Sequence, residues 1–146
     1  MRTPLWLAMQ LGRPGLVPPQ PERSAVYAAT QRSAVYAATQ PLIGGPPFLE
    51  LHVCIRHGDL LVDFVPRRPT ELGTAVGLLS GGDVDGQIRC RPAGKGADGD
   101  RWRLLGFSTR SNEDVEAFAR EQRLALSLRS NNCWSFARAV VDYAIT

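Results

Sequence analysis

The sequence predicts an α+β domain over residues 48–146: a small, mostly antiparallel sheet with two C-terminal helices. Three features predict it. Phe48–His57 and Leu60–Val65 are strand-like runs separated by Gly58-Asp59, the pattern of a hairpin closed by a two-residue turn. Ser111 stands three residues before Asp114, ahead of Val115, Phe118 and Ala119, which is a capping box opening a helix. Asn131 and Asn132 precede Cys133, Ala137, Val140 and Ala144, an apolar stripe at helical spacing that starts a second helix. A chain of 146 residues can bury one core and is too short for two.

Residues 1–47 have a different composition. They hold most of the 11 prolines, four arginines (Arg2, Arg13, Arg23, Arg32) against one acid (Glu22), and a perfect tandem repeat, RSAVYAATQ, at 23–31 and 32–40. Two such short copies cannot build a solenoid. The expectation is a disordered, removable leader with too little apolar surface to offset its ordering entropy. Its acid-poor, Arg-bearing character is that of a transit peptide, and Val26-Tyr27-Ala28-Ala29 with its copy Val35-Tyr36-Ala37-Ala38 resembles the V-x-A-A pattern of plastid processing sites. The leader therefore points to a plastid; without it the expectation is cytoplasmic. The patch Leu5–Leu11 is too broken for a secretory signal.

Within the body, the turn sets the hairpin register, pairing His57 with Leu60, Ile55 with Val62, Cys54 with Asp63 and His52 with Val65. His52, Cys54, Arg56, Leu61 and Asp63 then share one face. Val53, Ile55, His57, Leu60, Val62 and Phe64 share the other. Residues 66–100 concentrate Pro, Gly and Asp and read as long loops around a short strand at Gln87–Arg91. Arg101–Ser108 reads as a strand, the first helix runs to about Arg123, Leu124–Leu128 alternate as a strand does, and the last helix reaches Ile145. The order is β-β-(β)-β-α-β-α.

Cys133 falls in the first turn of the last helix, where backbone N–H groups without intrahelical acceptors and the helix dipole favour a thiolate. The bland alternative is a small buried residue on an apolar stripe. A cysteine nucleophile needs an imidazole to exchange its proton and a third group to orient that ring. His52 sits within a strand that can hold a ring rigidly, while His57 abuts the turn and is expected to face solvent. The hairpin register puts Asp63 on the His52 face, within reach of a carboxylate–imidazole contact. Asn131 or Asn132 would donate to an oxyanion beside the Cys133 N–H.

The line HVCIRHGDLLVDF at 52–64, followed far downstream by RSNNCWSFA at 129–137, resembles the circularly permuted papain-like fold of the PPPDE (deubiquitinase-like) and lecithin:retinol acyltransferase families. There a catalytic His opens an early strand and a catalytic Cys, after one or two asparagines, opens a late helix. The resemblance spans residues 48–146 and implies that His52 and Cys133 fill those two positions. The acyltransferase branch carries a second His one strand later, where this chain has Asp63 and a hairpin one residue shorter. Cys133-Trp134-Ser135-Phe136 is also similar to the Cys motif of ordinary papain-like proteases.

The implied function is a cysteine-dependent hydrolase of peptide, isopeptide or thioester bonds, using Cys133, His52 and Asp63 without a cofactor. The runner-up is a lipid or thioester acyltransferase, and the third reading is an inactive papain-like binding domain. The expected partner is a protein, peptide or acyl substrate. The net charge of +3 belongs to the leader and not to a face of the body, which argues against nucleic acid. No run approaches the length of a membrane span. Three cysteines without CxxC spacing indicate neither a disulfide framework nor a zinc site and fit a reducing compartment. Arg67, Arg68, Arg89 and Arg91 read as solvated loop charges.

Overall fold

In the computed structural model, residues 32–41, 52–94 and 101–146 are described. They form an α+β fold in which one antiparallel sheet carries its helices mainly on a single face. The strands are β1 (Ser33–Gln40), β2 (His52–His57), β3 (Leu60–Pro66), β4 (Val84–Pro92), β5 (Arg103–Ser108) and β6 (Ala125–Leu126). The helices among the described residues are α1 (Leu72–Leu79), α2 (Asn112–Arg120) and α3 (Cys133–Ile145). Strand order is β5-β1-β2-β3-β4-β6.

The β2–β3 hairpin has the expected register, with Cys54 opposite Asp63, Ile55 opposite Val62 and His57 opposite Leu60. Gly58 makes this possible: its φ of +58° is open to glycine and strained for other residues. The face carrying Val53, Ile55, Leu60, Val62 and Phe64 forms the core with Val115 and Ala119 of α2 and Phe136, Ala137, Val140 and Ala144 of α3. Phe64 and Phe136 meet with ring centroids 5.4 Å apart. This tilted contact ties α3 to the strand that bears Asp63.

The leader boundary at residue 47 requires correction. Residues 33–40, the second copy of the repeat, form β1, which lies between β2 and β5, and Val35 and Ala38 are buried. A processing event within Val35–Ala38 would cut the sheet. The identical sequence at 23–31 lies outside the described residues, as do the rest of 1–31, the Leu5–Leu11 patch and residues 48–51 of the expected first strand. Small residues such as Ala37 and Ala38 carry little intrinsic strand preference, so pairing on both edges rather than local propensity makes this segment a strand.

Three further elements differ from expectation. The segment read as loop contains α1, an eight-residue helix with no buried residue and with Leu72, Val76 and Leu79 exposed. Gly73 and Gly77 inside it disguise the helix as loop. The strand read at Gln87–Arg91 is longer, Val84–Pro92, and pairs with β3 from Gly86 to Pro92 and with β6 at Val84 and Asp85. The strand read over Leu124–Leu128 shrinks to Ala125–Leu126, because Ser127 and Asn131 close a tight loop with reciprocal backbone bonds of 2.9 and 3.2 Å.

Candidate active site

The start of α3 is built by Asn132. Its Oδ1 accepts from the N–H groups of Trp134 and Ser135, each at 3.0 Å, and Ser135 Oγ accepts from the Asn132 N–H at 2.9 Å, completing a capping box. Asn132 Nδ2 also donates to the Leu128 carbonyl at 3.0 Å. Asn131 Nδ2 donates to the carbonyls of Arg123 (2.9 Å) and Ala125 (2.7 Å), which uses both its amide hydrogens. For Asn131 the expectation of donating to an oxyanion is therefore corrected, because both its amide hydrogens are used; Asn132 caps the helix through Oδ1 and spends one of its two amide hydrogens on Leu128. Their work is to aim the first turn that carries Cys133.

His52 opens β2 and Cys133 opens α3, which packs on β2 and β3. His52 is 3% exposed, and its Nε2 lies 3.1 Å from Oδ2 of Asp63, which is fully buried. An ionised carboxylate only accepts, so Nε2 carries the proton in this contact. Nδ1 is then the ring nitrogen left for a thiol. Cys133 adjoins the ring closely enough to act on its ionisation. Burial by itself would lower the His52 pKa, but the hydrogen bond with Asp63, and after it the neighbouring Cys133 side chain, outweigh burial and raise the pKa from 6.5 to about 9. The ring is thus charged at neutral pH.

Asp63 is held by more than His52. Arg89 grips it with both nitrogens of its fork, Nε to Oδ1 at 2.8 Å and Nη2 to Oδ2 at 2.5 Å, and Arg91 Nη1 lies 3.4 Å from each oxygen. Burial would raise the Asp63 pKa, but His52 and Arg89 hold the carboxyl well below the usual range. These arginines are not the solvated loop charges expected from the sequence. They stand on β4, with Arg89 directly opposite Asp63, so the β3–β4 register aims a cation at the carboxylate. Arginines alternating with Ile88 and Cys90 in the short strand at Gln87–Arg91 are the available signal, but the sequence does not show which strand pairs with it and so which carboxylate faces Arg89.

The other thiols are unsuited to nucleophilic work. Cys54 is fully buried opposite Asp63, and burial first, then the carboxylate, pushes its pKa up to about 11. Burial also pushes up Cys90. His57, expected to face solvent, is fully buried. Its Nδ1 meets Asn112 Oδ1 at 2.7 Å, Asn112 Nδ2 donates on to Asp59, and Nε2 has no partner among the described residues. Because the Asn112 oxygen accepts, His57 is protonated on Nδ1 and fixes the turn to α2 rather than serving Cys133. Among the described residues no cluster of His, Cys, Asp or Glu could hold a metal ion, and no helix is long and apolar enough to cross a membrane. Comparison with protein-family models, with curated proteins and with solved structures gives no match.

Proposed function

We propose that the protein is a papain-like cysteine hydrolase of peptide, isopeptide or thioester bonds. The observation that carries this reading is the buried His52–Asp63 pair, kept ionised by Arg89, beside a cysteine at a capped helix start.

In this mechanism Cys133 Sγ attacks the substrate carbonyl carbon as a thiolate, its proton held on His52 Nδ1. The oxyanion forms at the start of α3, with the Cys133 backbone N–H as its donor. Collapse breaks the bond to the leaving amine or thiol, which takes the Nδ1 proton and leaves an acyl-thioester on Cys133. His52, now neutral, takes a proton from a water that attacks the thioester carbonyl, and collapse breaks the C–S bond, releasing the carboxylic acid and returning the Cys133 thiolate beside the His52 imidazolium. Asp63 orients the ring and stabilises its charged form, and Arg89 holds Asp63 in place. The buried salt-bridged carboxylate suits hydrolysis by a Cys-His-Asp site better than the two-histidine arrangement of the acyltransferases.

An electrophilic peptide probe, a peptidyl acyloxymethyl ketone with fluorescent readout, tests the proposal. Labelling of wild type that disappears in Cys133→Ala and falls at least tenfold in His52→Gln supports it. Labelling indifferent to Cys133 overturns it, in favour of a non-catalytic domain.

A further inference from the structure

A groove of about 490 Å³ begins one residue from Cys133. Trp134, Arg138 and Val141 of α3 form one wall, Arg101, Arg103 and Leu105 the other, and Val53 and Ile55 contribute to its floor. From Trp134 to Val141 the helix advances about 10 Å, the span of roughly three residues of an extended peptide. Two properties define what fits. The floor and inner walls are apolar, with Leu105 and Trp134 partly exposed at 42% and 53%. The described lining includes three guanidinium groups and no carboxylate. Arg138 lies 3.8 Å from Asp142 with both side chains largely in solvent, a contact that leaves its charge available. Among the described residues, Arg101 and Arg103 have no carboxylate within ion-pair distance.

We propose that this groove binds a short acidic peptide segment with apolar side chains, placing the adjoining carbonyl at Cys133. The inference rests on the hydrolase reading and names its substrate class. Arginines on opposite walls suit carboxylates projecting to both sides of an extended backbone, while the floor takes apolar side chains between them. A ligand with a single terminal carboxylate, such as a fatty acid, would use one wall and leave the other arginine without a counter-charge.

The test uses the full chain carrying Cys133→Ala, so that binding is read without chemistry. Fluorescence anisotropy compares a fluorescein-labelled pentapeptide alternating leucine with glutamate against the same peptide with glutamine. The glutamate peptide is expected to bind about tenfold more tightly at low ionic strength, with the ratio shrinking as salt is added. Arg103→Glu and Arg138→Glu should each cut the preference severalfold, and their combination should abolish it. Equal binding of the two peptides, an unchanged preference in the double variant, or displacement of the peptide by lower concentrations of laurate overturns the proposal. Because these readings do not depend on the thiol, loss of the peptide preference leaves the Cys133 probe result standing. Conversely, failure of probe labelling with the preference intact removes only the hydrolase reading.

Discussion

Replacing Asp63 with Asn changes one oxygen for an amide nitrogen at the point where three side chains converge. In the wild type the His52 pKa stands near 9 against an ordinary 6.5, which at 1.36 kcal/mol per pH unit is about 3 kcal/mol favouring the charged ring. Asp63→Asn removes the largest raising influence and leaves burial to act against the imidazolium, so the His52 midpoint should fall to about 6.5 or below. Arg89, about a third exposed on its side chain, loses its bidentate partner but can turn toward water. The expected destabilisation is therefore about 3 kcal/mol, the low end for breaking a buried ion pair, and the melting temperature should fall by roughly 10 °C. The assay is direct, because the chain contains two histidines. Side-chain NMR titration of His52, assigned with His57→Gln, follows its midpoint in both proteins. A wild-type midpoint near 6.5, or one that Asp63→Asn leaves unmoved, refutes the argument that Asp63 keeps the ring charged.

The same pair governs stability against pH. Because folding raises the His52 pKa, its contribution is complete below pH 6.5 and is lost as pH climbs toward 9; because folding lowers that of Asp63, its contribution is present above the ordinary 3.8 and lost only in strong acid. Thermal melts should therefore show the pair's stabilisation fully in place between about pH 4 and 6.5 and declining toward pH 9, and a melting temperature that rises over that upper interval contradicts it. Truncation separates the two copies of the repeat. Deleting residues 1–31 should preserve a cooperative transition, while deleting 1–40 should abolish it because β1 and its buried Val35 and Ala38 are lost from the middle of the sheet; circular dichroism melts of the two proteins decide it.

What was legible in the sequence is what local chemistry controls. Gly58 fixed the turn, the turn fixed the register, and the register put Asp63 beside His52. Asn132 and Ser135 marked the start of α3 and so the place of Cys133. The misread parts depend on partners distant in sequence. Nothing within RSAVYAATQ tells one copy from the other, and β1 is a strand because β2 and β5 hydrogen-bond to it on either side. Arg89 looks like a surface charge until β4 pairs with β3 and brings it opposite Asp63. His57 looks exposed beside a turn until Asn112, at the start of α2, closes over it. Asn131 looks like a donor for substrate until the loop folds and directs its amide to the Arg123 and Ala125 carbonyls.

The central claim is that His52 prepares Cys133 for attack, and the most direct measurement is the alkylation rate of each cysteine in the native protein. Iodoacetamide at pH 7, quenched over time and resolved by peptide mass spectrometry, gives three rates in one experiment. Cys133 is predicted to react first, with Cys54 and Cys90 slower by at least about tenfold because burial holds them as thiols. His52→Gln should slow Cys133 alone by a similar factor while leaving the circular dichroism spectrum unchanged. Three equal rates, or a Cys133 rate unaffected by His52→Gln, would contradict the account.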